Sequence, residues 1–521
     1  MSEAPASISL SLVSHTNAGK TTLARTLLGR DVGTVLDAPH VTEFADVFTL
    51  LEISNGERLL LWDTPGFGDS ARLVKRLRAS GNPLANPLGW FLSEIWDRWR
   101  DRAFWSSQQA MRNVRDEADV MLYLVNAAES PEAAGYVQPE MALLGWIGKP
   151  VIVLLNQLGP PREGALEAAE LERWRVHLAP HAHVKAVLPL DAFARCWVQE
   201  GTLLQAIEAA LPPADQALMG RLRAAWSVQR LHIFDAAMGS LAASLARLAG
   251  SFEEVPDPAT LSARLRRVGS AIHAAIGSAI AVDAGGGEAA RSPIALAQAA
   301  LAERLDAEVR ANTADLIALH GLEGRAQGEI LTRLASHFET SLRMDEGKAA
   351  LWGGMVSGAL VGLKADLLSG GLTLGGGLLA GGLIGALGAA GLARCVNLVR
   401  GTDRSWVAWN AEALGQLLEA ALLRYLAVAH FGRGRGEWAQ SEAPPHWRDV
   451  VQRALAPHGE ALAVVWKERD ARAGDAPQAG QMIAAALAPI IRQAAVDVLQ
   501  ALYPNAPQLR ESSPHAAVAS Q

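Results

Sequence analysis

Cysteine is nearly absent, with only Cys196 and Cys395 in 521 residues. Two widely separated thiols neither build a disulfide framework nor match the spacing of zinc ligands, so a reducing, cytoplasmic setting is expected. Basic charge is not in excess either. The formal net charge is −7 and there is no dominant basic block, which argues against a protein that mainly coats nucleic acid. The short run from Arg72 to Arg78 reads as a solvated helix face. Met1 to Ser9 lacks a positive segment followed by an apolar one, so no secretory signal is expected. The chain is too long for a single core and should hold two or three domains. Half of its residues are hydrophobic, so large cores can form.

What is present begins at Val13-Ser14-His15-Thr16-Asn17-Ala18-Gly19-Lys20-Thr21-Thr22. Ser7 to Val13 alternates small polar residues with Ile8, Leu10 and Leu12, a strand pattern, and Lys20 to Leu28 carries apolar residues at helical spacing. A loop so placed wraps phosphates in backbone N–H groups at a helix N-terminus, with the lysine on the β/γ-phosphates and the next hydroxyl on Mg²⁺. Those roles fall to Lys20 and Thr21, with Asn17, Ala18, Gly19 and Thr22 completing the loop. The usual pattern has glycine where this chain has Ser14, and serine resists the positive φ that glycine tolerates. An altered loop opening is therefore expected. His15 reads either as a contact to the γ-phosphate or as a ring packed against the switch or exposed.

Val47 to Ile53 and Arg58 to Trp62 flank Asn55-Gly56, a strong hairpin signal, and run into Asp63-Thr64-Pro65-Gly66. Asp63 can reach Mg²⁺ through water, and the Gly66 N–H can sense a γ-phosphate. Thr42, midway between Lys20 and Asp63, is the expected threonine that closes on the metal, with Thr34 as runner-up. Asp119 to Asn126, Pro150 to Leu155 and Val184 to Leu190 are short apolar runs typical of parallel strands buried on both faces. Helical segments between them, Tyr136 to Trp146 and Gly164 to His177, give the alternation of a doubly wound α/β domain. In such a sheet ligands sit at the carboxyl ends of strands, where Lys20, Asp63 and Asn156 all fall.

These strings resemble the Era/TrmE-like P-loop GTPases, with Asn17-Ala18-Gly19-Lys20-Thr21 as nucleotide loop, Asp63-Thr64-Pro65-Gly66 as switch and Asn156 at the base-reading position. More closely, the chain resembles an uncharacterised bacterial family in which such a domain precedes a helical domain of unknown function. Asn156-Gln157-Leu158-Gly159-Pro160-Pro161-Arg162 and Leu190-Asp191-Ala192-Phe193 are its familiar strings. The resemblance implies GTP and GDP with Mg²⁺ as ligands, Lys20 and Thr42 as the catalytic pair, and Thr21, Thr42 and Asp63 around the metal. Asn156 and Gln157 would meet the base. Gly159 stands where the family usually has an aspartate that reads guanine, so Asn156 would hold the loop or base, Asp191 would substitute for the aspartate, or the base would be read weakly. Phe67 stands where many GTPases have a water-orienting glutamine, so slow intrinsic hydrolysis is expected.

A helical insertion is expected at about 70–117, rich in tryptophan (Trp90, Trp96, Trp99 and Trp105). The domain around the loop should span 1–210. An all-helical domain follows over 211–503, with helices at Leu218 to Leu248, Leu261 to Ala281, Pro293 to His320, Trp406 to Phe431 and Met482 to Leu502, and a disordered tail over 504–521. Ala349 to Leu363 and Leu367 to Ala393 carry no charge, and the second run of 27 residues is long enough to span a bilayer as a helix. Glycines recur at four-residue steps, Gly354, Gly358 and Gly362 in one run and Gly377, Gly381 and Gly385 in the other, as in closely packed membrane helices; the other reading is a buried helical hairpin at the centre of a soluble bundle.

The expected function is a GTP-hydrolysing switch coupled to a membrane-associating helical domain. The competing reading is a scaffolding protein whose nucleotide site is largely structural. Expected partners are guanine nucleotide, a lipid or membrane protein meeting 349–393 at the inner face of the membrane, and a second copy in a nucleotide-dependent dimer. A nucleic-acid role ranks below these.

Overall fold

A computed structural model describes residues 6–16, 18–29, 45–79, 102–158, 164–190, 196–255, 293–322, 396–400, 405–430, 445–471, 476–504, 506 and 509. The expected insertion tryptophans Trp90, Trp96 and Trp99, the 261–281 helix and the 349–393 hairpin lie outside these residues. The chain divides into two compact units. One comprises 1–231, 430–437 and 503–521, the other 232–429 and 438–502. The expected boundary at 210 falls ahead of this division.

In the first unit, β1 (Ser7–Ser14), α1 (Lys20–Leu28), β2 (Asp46–Glu52), β3 (Arg58–Asp63), α2 (Ser70–Ala79), α3 (Arg102–Asp116), β4 (Val120–Asn126), α4 (Val137–Ile147), β5 (Val151–Asn156), α5 (Gly164–Leu178), β6 (Val184–Pro189) and α6 (Trp197–Ala210) follow one another. The six strands form one sheet in the order β2-β3-β1-β4-β5-β6. All neighbours are parallel except β2 with β3. The hairpin turns at Asn55-Gly56, where Gly56 takes φ 84° and donates to Ile53 O at 2.9 Å. No residue with a side chain holds this φ cheaply.

Every residue of β5 is buried, as are six of the seven in β4, because helices cover both faces of a parallel sheet. The unbroken apolar runs in the sequence reflect this double burial. Strand order reverses about β1, which pairs with β3 on one side and β4 on the other. The crevice beyond the ends of those strands is where such sheets bind ligands. α7 (Pro213–Ala249) begins in this unit, and its Arg221 clasps Glu57 beside the hairpin turn through two bonds of 2.6 and 3.0 Å.

The second unit is largely helical. It contains the later part of α7, β7 (Phe252–Glu254), α8 (Pro293–Leu319), β8 (Val396–Arg400), β9 (Ser405–Trp409), α9 (Ala411–Ala429), α10 (Pro445–Leu455), α11 (Gly459–Ala471) and α12 (Ala476–Leu502). One feature departs from the all-helical expectation, an antiparallel three-stranded sheet in the order β7-β9-β8. Trp406, expected in a helix, lies in β9. The helix starts later because the Asn410 side chain accepts from Ala413 N at 2.8 Å and caps it. Alternation over five residues is too short to stand out beside a long helical pattern.

Within the second unit Arg247 on α7 grips Glu308 on α8 at 2.6 and 2.9 Å, and the Phe234 ring meets the buried Tyr425 ring edge-on at 6.0 Å. Among the described residues one helical stretch, Gly480–Leu502, is long and apolar enough to cross a membrane, and 44% of its apolar window is buried within the protein. A soluble core helix passes the same test. Within the expected tail the described residues Ala506 and Leu509 are buried.

Candidate functional site

Ser14 ends β1 without a positive φ; Gln157 alone among described non-glycine residues has one. The expected alteration at this position is thus one of chemistry and not of backbone. The Ser14 hydroxyl donates to His15 O at 2.5 Å and accepts from Lys20 Nζ at 2.9 Å. A glycine would offer Lys20 no such acceptor.

Gly19 closes the loop with φ 90°. A Cβ there would lie 2.7 Å from Asn156 Nδ2, so both backbone angle and space demand glycine. Asn156 itself is fully buried at the end of β5 and donates to Ala18 O at 2.8 Å, which fixes the loop from the far side of the crevice. Gln157 follows with φ 57°, a strained conformation of the kind that clusters at ligand sites.

Lys20 is the first residue of α1 and is buried, as is Thr22. No acidic residue stands in the first turn, so the helix N-terminus presents only N–H dipoles and the ammonium. Thr21 Oγ1 donates to Asp63 Oδ2 at 2.6 Å across the β1–β3 boundary. The parallel register sets Leu12 against Asp63, which places the carboxylate beside the loop.

Asp63 Oδ1 is buried and has no hydrogen-bond partner among the described residues. A buried acceptor left so is costly, and a cation beside Thr21 would complete it. The residues thus fit Mg²⁺. Burial pushes the Asp63 carboxyl up to about 6, against the Thr21 hydrogen bond and the Lys20 charge. Burial also lowers the Lys20 ammonium to about 8, against the charges of Asp63 and Glu140. Both groups are held out of water and both are incompletely compensated.

The switch segment folds directly onto the loop. Phe67 N donates to Ser14 O at 2.8 Å, Thr16 N to Phe67 O at 3.2 Å and Thr16 Oγ1 to the same oxygen at 2.7 Å. These bonds bring Gly66 over the loop, where a Cβ would meet Thr16 Cα at 2.9 Å and Lys20 Nζ at 3.0 Å. The Phe67 ring is fully buried in a cluster with Val13, Leu73 and Met111, so it orients no water. Of the expected site residues, Ala18, Gly19, Lys20, Thr21, Asp63, Gly66 and Asn156 converge here. Asn17, Thr42 and Thr34, and the base-reading candidates Gly159 and Asp191, lie outside the described residues.

His15 turns its ring toward α4, where it stacks on Tyr136 with centroids 4.7 Å apart and meets Glu140 through Nδ1 at 2.8 Å. The ring is thus packed, but against α4 and its N-terminal flank and not against the switch as expected. Sequence reasoning missed Thr16, Ser70, Tyr123 and Glu140. A lone glutamate on a helix looks like a solvent-facing residue, and nothing local distinguishes it.

A phosphate loop between a strand and a helix, an aspartate at the end of the neighbouring parallel strand and a glycine folded over the lysine define a nucleotide-binding domain of the P-loop class. Residues 9–157 match the 50S ribosome-binding GTPase family and residues 338–501 match a domain of unknown function, DUF3482, so the chain joins an N-terminal GTPase domain to that C-terminal domain. No curated protein matches the chain significantly.

Solved structures similar to it include Era in complex with MgGDPNP and nucleotides 1506–1542 of 16S ribosomal RNA (19% identity, 40% of this chain and 58% of that one, TM-score 0.29). Aquifex aeolicus Era bound to GDP.AlF4- is similar at 20% identity over 40% of this chain and 57% of that one, with a TM-score of 0.27. A bacterial selenocysteine-specific elongation factor is similar at 16% identity over 39% and 28%, with a TM-score of 0.25. The matched region spans somewhat more than half the length of the Era chains.

Proposed function

We propose that the N-terminal domain is a Mg²⁺-dependent guanine-nucleotide switch that binds GTP, hydrolyses it slowly to GDP and phosphate, and signals through the C-terminal helical domain to a membrane or membrane partner. The observation that carries this reading is the convergence of the Lys20 ammonium, the Thr21 hydroxyl and the unpartnered Asp63 Oδ1 at the N-terminus of α1. Lys20 would exchange its bond to Ser14 for the β/γ-phosphates, and the N–H groups of the loop would hold the remaining oxygens. Thr21 and Asp63 would hold Mg²⁺, Asp63 through water, and Thr42 would close on it when triphosphate is bound. The metal, when bound, neutralises charge on the phosphates.

Gly66 would offer its N–H to the γ-phosphate. Chemistry of this kind rests on positioning and charge stabilisation, with no covalent intermediate. The buried Phe67 ring supports slow turnover without an added group. Asn156 and Gln157 would border the base, with guanine preference carried by few contacts because Gly159 has no side chain. The uncharged, glycine-spaced segment 349–393 supports membrane association, and a nucleotide-dependent dimer is the expected assembly.

Titration calorimetry with GDP and a non-hydrolysable GTP analogue against ADP and an ATP analogue, with and without liposomes, tests the reading. Guanine-selective binding that alters liposome association is expected. Equal binding of adenine nucleotides would overturn the guanine assignment, and unaltered liposome association would overturn the coupling.

A further inference from the structure

Glu140 is not among the groups that would meet the nucleotide, yet among the described residues near the site it is a carboxylate with three hydrogen bonds. It lies on α4 and is completely buried. Its Oε1 accepts from His15 Nδ1 at 2.8 Å and from Ser70 Oγ at 2.7 Å, and its Oε2 accepts from Tyr123 OH at 2.6 Å. A buried carboxylate is tolerated when it is well hydrogen-bonded, and three donors meet this one, two on Oε1 and one on Oε2. The donors come from three segments that differ in kind. Tyr123 belongs to the buried strand β4, His15 to the phosphate loop, and Ser70 opens α2 directly after the switch segment Asp63 to Asp69.

Glu140 and Tyr123 stand on core elements, whereas switch segments of this type are the parts that reorder with nucleotide. If the switch pivoted away, Ser70 would leave Oε1 and a buried acceptor would lose a donor, which is costly. The segment is also zipped to the loop at Phe67. Between these two ties lie only Gly68 and Asp69, and just ahead of them Gly66 is held against Lys20.

We propose that Glu140 is a positioning residue that, through Ser70 and His15, fixes the switch glycine against the phosphate loop and thereby sets the preference for nucleoside triphosphate over diphosphate. The proposal rests on the guanine-nucleotide reading above. Only the triphosphate has a γ-phosphate for Gly66 to meet, so loosening the hub lowers affinity for triphosphate and leaves diphosphate largely unaffected.

The test uses the full chain with Mg²⁺, GDP and a non-hydrolysable GTP analogue in titration calorimetry, with thermal melts of each variant. Glu140→Gln and Ser70→Ala should lower the triphosphate-to-diphosphate affinity ratio on the order of tenfold, a typical coupling between sites. Ser70→Ala removes one hydroxyl and carries the test if Glu140→Gln fails to fold. Tyr123→Phe takes a donor from the same carboxylate on the core side, so it should lower the melting temperature and keep the ratio. A purely structural hub would shift all three alike.

Ratios unchanged or raised in Ser70→Ala, a ratio equally reduced in Tyr123→Phe, or wild-type protein binding both nucleotides equally would overturn the hub while leaving nucleotide binding intact. Wild-type protein that binds neither would overturn the guanine reading and the hub with it.

Discussion

Each unit of the molecule buries a cation whose hydrogen bonds, among the described residues, go to no carboxylate, and the two cations differ in what surrounds them. Among the described residues Lys20, in the first unit, bonds the Ser14 hydroxyl and faces an aspartate with one oxygen unpartnered. Arg424, in the second, donates to Val309 O at 3.4 Å and to Asn312 Oδ1 at 3.2 Å, both on α8. Burial lowers both, the lysine to about 8 and the arginine to about 10. The arginine ties α9 to α8, and its partners are permanent parts of a helix. The lysine's partner is a small hydroxyl that a phosphate can replace. Desolvation alone therefore does not mark a site; desolvation with replaceable partners does.

Breaking the lysine should have the largest effect on ligand. Lys20→Ala is expected to weaken nucleotide binding at least about a hundredfold, from loss of charge-assisted bonds of roughly 3 kcal/mol, as read by calorimetry. Its melting temperature should hold or rise, because a desolvated charge is removed. Normal binding by this variant would sink the phosphate-loop assignment.

Arg424→Ala inverts that pattern. Truncating a side chain that is 4% exposed should cost roughly 2–4 kcal/mol through the cavity and the stranded Asn312 amide, measured by chemical denaturation, with nucleotide affinity unchanged. A comparable loss of affinity would show that the two cations are not independent.

Gly19→Ala sharpens the comparison at smaller scale. The added Cβ meets Asn156 Nδ2 and must hold a positive φ, a strain of about 1–3 kcal/mol that should appear in both stability and affinity.

The mildest effect is that of pH. A carboxyl whose folded value is raised to about 6 disfavours the fold once ionised, so the ligand-free protein loses this contribution as pH rises from the unfolded value of 3.8 through 6. For an ammonium lowered to about 8 the loss comes as pH falls from 10.5 through 8. Both penalties are present at neutral pH, where ligand can relieve them. Nucleotide affinity in Mg²⁺ should therefore climb as pH rises through about 6 and decline above about 8, by up to about tenfold per unit. Profiles of Asp63→Asn that keep the acid limb would exclude Asp63 as its source.

The strands, the phosphate loop and the switch glycine were legible because each is written in contiguous residues. A buried parallel strand needs an unbroken apolar run, a positive φ needs glycine, and a hairpin of this type favours Asn-Gly; these are local demands of backbone and burial. His15 could be read two ways because its ring direction depends on residues 125 positions away. Ser14 looked like a flaw, and only its bond to Lys20 shows what the hydroxyl does. The sheet of β7, β8 and β9 joins strands more than a hundred residues apart, each too short to announce itself beside long helices.

By itself the sequence determined where the strand–loop–helix pattern around Gly19 and Lys20 stands along the chain, since spacing within one strand, loop and helix fixes its geometry. Only tertiary structure decided that Glu140 gathers His15, Ser70 and Tyr123, that Asp63 keeps an oxygen without a partner among the described residues, and that buried Arg424 bonds a carbonyl and an amide of α8. Those outcomes depend on which distant segments share one desolvated volume. Hydrogen bonds and charge become expensive to leave unmet there, and no local pattern records who the neighbours are.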